Sequence, residues 1–145
     1  MRRDSSGVVN FPVIDEADVD WNEKRYSNDI FMLKAARIMA WFLAAVITVL
    51  SLVPPWLRPG TPAPHDLEHF AIFLATGVAF GLGHFRRPIV LTIALVVFAA
   101  MIELAQLFVP GRHARLSDFI VDTVALCAGV VLAYPVAART FERSV

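Results

Sequence analysis

The sequence predicts an all-α integral membrane protein: a four-helix bundle with short loops and a polar N-terminal tail. Three observations carry this reading. Hydrophobic residues make up 57% of the 145 positions, where soluble domains hold roughly 45–50% even with glycine counted. Charged residues are 18%, against about 25% in soluble chains. The charges are also unevenly spread. None occurs from Ile38 to Leu57, and only Thr92 interrupts the apolar run from Ile89 to Ile102. A long soluble helix shows one apolar stripe and one charged face, and these runs have no charged face. The composition also excludes a disordered chain. Lys+Arg and Asp+Glu number 13 each, so no overall basic charge points to nucleic acid. A single cysteine, Cys127, rules out an internal disulfide or a Cys-based metal cluster in one chain.

A membrane-spanning helix needs about 20 mostly apolar residues. The first span is read over 35–53, closed by Pro54-Pro55, which cannot continue a helix. The second covers 67–85, entered through Pro64 and Asp66. The third covers 88–109, with Pro88 in its first turn and Pro110-Gly111 at its end. The fourth covers 118–138, with Ser117 or Asp118 at the N-cap and Pro135 shortening or kinking its last turn. Residues 1–34 carry Asp15, Glu16, Asp18, Asp20 and Glu23 and read as a solvated, partly disordered cytoplasmic arm. Within it, 26–33 is a candidate extension of the first helix. Residues 139–145 form a short cytoplasmic tail. The first apolar segment starts too deep in the chain for a secretory signal peptide, so it is expected to be retained as a span.

Orientation follows from Lys and Arg near the span ends. Lys24, Arg25, Lys34, Arg37, Arg86, Arg87, Arg139 and Arg143 fall on one side; Arg58, Arg112 and Arg115 fall on the other. Both termini are therefore expected in the cytoplasm, with loops 54–66 and 110–117 outside. Arg37 and Arg86 are expected to snorkel to the headgroups.

The polar residues that interrupt the spans all fall at the outer end. Asp66 and His69 share a helix face at the start of span two, with Glu68 between them. Glu103 and Gln106 share a face in the last turns of span three, and Asp118 and Asp122 do so in span four. Glu103 precedes Val109 by six residues, which places it about 9 Å below that end. Arg112, His113 and Arg115 lie on the joining loop. Ionisable groups in hydrocarbon cost about 2.5–3.5 kcal/mol each at mid-span and usually face the bundle interior. A ligand site is one reading of this cluster.

Simpler roles stand beside it. Asp66 and Asp118 can cap helices. His69 can be a hydrogen-bonded packing residue, and Asp122 can join two helices. Arg112 can pair with Asp118 or with lipid phosphate. Glu103 is the hardest to explain away, since it follows fifteen uncharged residues and no capping role is evident. His84 and His113 read as interfacial and Cys127 as a packing residue. The small-xxx-small pairs Gly77/Gly81 and Ala125/Gly129 allow close helix approach, within the bundle or in a homodimer.

The run His65-Asp66-Leu67-Glu68-His69-Phe70, then Glu103 and Gln106 before Pro110-Gly111-Arg112, then Ser117-Asp118 with Asp122 ahead of Gly129 resembles the VanZ-like membrane protein family over residues 38–138. The resemblance implies a small multi-pass protein of the bacterial cytoplasmic membrane. It also implies an envelope role of the kind that names the family, which is teicoplanin resistance. Its signature positions are Asp66, His69, Glu103, Gln106, Arg112, Ser117 and Asp118. Leu67 stands where the family often has Lys, and Asp122 where it often has Asn. The site thus loses a cation and gains a carboxylate, which tilts it toward cation binding.

Three functions are compatible with these residues. The first is a non-enzymatic envelope protein whose outer pocket, formed by Asp66, His69, Glu103, Gln106, Arg112, Ser117, Asp118 and Asp122, binds a lipid-linked precursor, a glycopeptide or a partner protein. The second is an intramembrane hydrolase or transferase on a lipid-linked substrate, with His69 as base, Glu103 as acid and Arg112 as anion holder. Mg²⁺ held by Asp118, Asp122 and Glu103 would suit that chemistry; otherwise no cofactor or dedicated metal site is expected. The sequence has no HExxH motif, nucleophile elbow or phosphate-binding glycine loop. The third is a purely structural network. Membrane lipids are expected partners, a homo-oligomer is compatible, and four short helices leave little room for alternating access.

Overall fold

The computed structural model describes residues 16–54, 56, 65–111 and 115–142. They form four helices: α1 (Glu16–Leu52), α2 (His65–Gly83), α3 (Pro88–Gln106) and α4 (Leu116–Glu142). No strand occurs among the described residues. Three helices are long and apolar enough to cross a membrane: α1, α3 and α4. In α2 the apolar stretch Leu67–Gly83 is shorter. At 19 residues α2 nevertheless equals α3 in length and spans about 28 Å, close to the roughly 30 Å of hydrocarbon.

The N-terminal arm expected over 1–34 is helical over 16–34, which takes in the candidate helix extension at 26–33. Residues 16–34 continue α1 as one helix of 37 residues, about 56 Å long. The reason is local. No Gly or Pro occurs between Glu16 and Val53, so nothing breaks the helix. The acidic run, read as a solvated cluster, lies in the first turns of α1, where the helix dipole favours negative charge. Lys24 donates to Asp20 one turn away at 2.8 Å, an exposed pair contributing a few tenths of a kcal/mol. Residues 1–15 lie outside the described residues.

The helix ends also shift. α3 ends at Gln106, and residues 107–109 continue in tighter i→i−3 turns, with Leu107 N–H donating to Leu104, Phe108 to Ala105 and Val109 to Gln106. Gly111 then takes φ 79°, a left-handed conformation suited to glycine. At α4, the Arg115 carbonyl accepts from Phe119 N–H, so Arg115 holds the N-cap position. Ser117 and Asp118 sit in the first turn instead. Pro135 does not end α4, which runs on to Glu142.

α2 and α4 form the central and most extensive pair; α1 packs on α2 and α3 on α4. Chain order makes α2 and α4 parallel, and successive contacts confirm it: Gly77 faces Leu126, and Gly81 faces Val130 and Ala133. The approach is too close for a side chain. A Cβ on Gly77 would lie 2.3 Å from the Leu126 carbonyl oxygen, and one on Gly129 would lie 2.4 Å from that of Leu74. Both small-residue pairs are thus used inside one chain. α1 presents Ala40, Ala44, Ile47 and Ser51 inward, at helical spacing along one face. Trp41 meets Phe80 edge-on at 5.4 Å. Arg37, expected to snorkel, instead donates from Nε to the Gly83 carbonyl at 2.8 Å and so satisfies the end of α2.

Large apolar side chains face outward along three helices, among them Trp41, Ile89, Ile93, Met101, Leu104, Val124 and Val131. An apolar exterior of this extent suits lipid and not water. Thr48, Thr76 and Thr92 return their hydroxyls to carbonyls one turn back at 2.7–2.9 Å, which leaves no unpaired donor there in hydrocarbon.

Candidate functional site

The candidate site lies where α2 and α4 begin and α1 and α3 end. α2 enters with a polar start, since His65, Asp66, Glu68 and His69 are among its first five residues. Because α2 and α4 run parallel, their first turns lie side by side. His69 and Asp122 meet across that seam, with Nδ1 3.2 Å from Oδ1. The pair is deeply buried, at 8% and 2% exposure. The imidazole stacks on Phe73, with ring centroids 6.0 Å apart. A ring whose Nδ1 donates to a carboxylate presents an unprotonated Nε2 in its neutral form.

Glu103 does have a capping role, contrary to expectation. Its Oε1 accepts the backbone N–H of Arg115, the residue at the start of α4. The capping was hidden because it crosses a loop from another helix. Glu103 also lies within electrostatic reach of His69, Asp118 and Asp122, so α2, α3 and α4 do converge here. Gln106 is buried beside them at 4% exposure. Ser117 donates to Asp118 Oδ1 at 2.9 Å in an exposed position, at the rim of the cluster. The Asp66 side chain, Arg112 and His113 lie outside the described residues.

α1 contributes a wall that the sequence reading missed. A cavity of about 110 Å³ opens between α1 and α2, lined by Leu50, Ser51, Glu68, His69, Ile72 and Phe73. Glu68 Oε1 is buried there and finds no donor among the described residues. Ser51 was the available signal, a hydroxyl in the last turn of an apolar span. Glu68 was visible as a carboxylate at the outer end, but nothing in its spacing separated it from a solvated charge.

Among the described residues no three His, Cys, Asp or Glu side chains are grouped to hold a metal ion. Glu103 accepts from Arg115 N–H and Asp122 pairs with His69, so both carboxylates already have protein partners.

An apolar helical exterior with a buried ionisable cluster at one end defines a multi-pass α-helical membrane protein. The VanZ/LLP1 family model matches residues 7–138, and the chain belongs to that family. The match begins upstream of the expected 38–138 and takes in the projecting part of α1. No curated protein and no solved structure matches the chain.

Proposed function

We propose that the protein is a multi-pass protein of the bacterial cytoplasmic membrane, with both termini in the cytoplasm. Its outer polar cluster binds an envelope ligand, a lipid-linked precursor or glycopeptide, in a role of the teicoplanin-tolerance type. The observation that carries this is the cavity beside His69, with Glu68 Oε1 lacking a donor among the described residues. A network serving only to fix helix packing gains nothing from a buried acceptor left open. A ligand hydroxyl or ammonium entering between α1 and α2 would satisfy it. Glu103 shapes the site by holding the α3–α4 loop, and Arg115 and Arg112 on that loop supply charge for phosphate or carboxylate groups.

The test compares teicoplanin and vancomycin tolerance in a sensitive Gram-positive host. The host expresses wild type, Glu68→Gln or Glu103→Ala at matched membrane levels. Teicoplanin tolerance raised by wild type and lost in Glu68→Gln supports the reading. Equal tolerance with wild type and Glu68→Gln overturns the ligand role of the cavity.

One observation favours a second reading, that of an intramembrane enzyme. His69 is oriented by Asp122 as a general base is oriented by its carboxylate partner. In this reading Glu103 positions the loop and is not the acid. Turnover of a lipid-linked substrate that His69→Gln abolishes would select it over binding alone.

A further inference from the structure

The cavity between α1 and α2 holds an acceptor without a matching cation. Its apolar walls are Ile47, Leu50, Ile72 and Phe73, and its polar ones are Ser51, Glu68 and His69. Ser51 is buried at 3% exposure. Glu68 Oε1 is buried with no donor among the described residues, and no described Lys or Arg lines the cavity. Arg115, the one described arginine at this end, stands exposed at the start of α4.

A carboxylate taken out of water is costly unless a charge and hydrogen bonds compensate it. A ligand hydroxyl would supply a hydrogen bond but leave the charge unbalanced. A metal ion would need more ligands than the described residues bring together. An ammonium supplies the charge and up to three N–H donors. The outer end favours that sign. In the proposed orientation it holds five carboxylates, on Asp66, Glu68, Glu103, Asp118 and Asp122, against Arg58, Arg112 and Arg115. The cavity of about 110 Å³ has room for a few waters, so it takes a small group and not a whole head group or sugar. We infer that the ligand inserts a primary ammonium here, donating to Glu68 Oε1 and the Ser51 hydroxyl, an assignment that rests on the ligand reading of the outer cluster. Leu50 is 38% exposed on the apolar exterior, so the methylene stem has a way out along the α1–α2 seam. The ammonium belongs to a lipid head group or to the amine of a peptide ligand.

The experiment follows thermal unfolding of the full chain in an uncharged maltoside detergent. Phosphatidylethanolamine, phosphatidylcholine and N-acetyl-lysine amide are titrated separately, since a ligand held by the native state raises the melting temperature with concentration. Phosphatidylethanolamine or N-acetyl-lysine amide should bind wild type about tenfold more tightly than phosphatidylcholine, whose trimethylated nitrogen has no N–H. A charged hydrogen bond contributes on that scale. Glu68→Gln should lose the margin, and so should Ile72→Trp, which fills the cavity and leaves the carboxylate. Stabilisation by phosphatidylethanolamine alone supports the proposal with a lipid source; stabilisation by N-acetyl-lysine amide supports it with a peptide amine. No margin over phosphatidylcholine for either amine in wild type, or a margin retained in Glu68→Gln, overturns it. So does a margin that appears only in Arg58→Gln, because Arg58, outside the described residues, would then be the cation at Glu68. Teicoplanin tolerance that needs Glu68 while no amine binds would overturn the ammonium and leave the ligand reading standing. Amine binding that needs Glu68 with tolerance unchanged would support the ammonium and remove the envelope role.

Discussion

Glu103 and Asp122 are both buried carboxylates, yet their surroundings give them different tasks. Glu103 accepts a backbone N–H, and a glutamine oxygen can do the same. Glu103→Gln should keep thermal stability in detergent close to wild type. Glu103→Ala should cost about 1–3 kcal/mol by leaving that donor unpaired. Equal loss in both variants would count against the capping role. Asp122 is joined to His69, so a double-mutant cycle with Asp122→Asn and His69→Phe should show coupling of about 1 kcal/mol. Strictly additive effects would remove the pair as a stabilising contact. His84 lies in the loop after α2, outside the spans, and its pKa is lowered by burial and by the Arg37 guanidinium nearby. The unfolded chain therefore binds the proton more readily. Stability from this group is present above the ordinary histidine pKa of about 6.5 and falls as pH drops through it. The melting temperature should decline on acidification from pH 8, and His84→Gln should flatten that slope.

At the scale of elements, the α2–α4 seam is the least tolerant contact. Gly77 and Gly129 face backbone carbonyl oxygens, which cannot move aside without shifting a helix. Gly81 faces the side chain of Ala133. Gly77→Ala and Gly129→Ala should each cost about 1–3 kcal/mol or more through overpacking, and Gly81→Ala should cost less. Urea or thermal unfolding in detergent ranks them, and the reverse order would contradict the parallel crossing. α1 shows the opposite economy. Among its described residues the fully buried ones form one stripe, Ala40, Ala44, Ile47 and Ser51. Its helical character was a candidate over 26–33 but was obscured over 16–25 by the density of charge, although no Gly or Pro there breaks a helix.

For the whole molecule, the two ends divide labour. One gathers His69, Glu103, Gln106 and Asp122; the other carries Arg37, Arg86, Arg87 and Arg139. In the proposed orientation the polar end faces outward. An impermeant thiol reagent on intact cells should label Ser117→Cys and not Arg87→Cys, both in a Cys127→Ser background. Labelling with the opposite preference would invert the topology and move the polar cluster to the cytoplasmic face.

Hydropathy alone located the four apolar segments and the common depth of the interrupting polar residues. In lipid a helix satisfies its own backbone, so span length and charge are local properties of the chain. The motif pieces from Asp66 to Asp122 were legible for the same reason, and they carried the family resemblance. Partnership was not legible. That His69 meets Asp122 depends on α2 lying beside α4, that Glu103 caps a helix across a loop depends on α3 meeting α4, and that Ser51 and Glu68 wall a cavity depends on α1 packing on α2. No periodicity within a single helix encodes its neighbour. Gly77 and Gly129 signalled close approach, but only tertiary packing decided that each is spent on the other helix of the same chain, where the backbones come too near for a side chain to intervene.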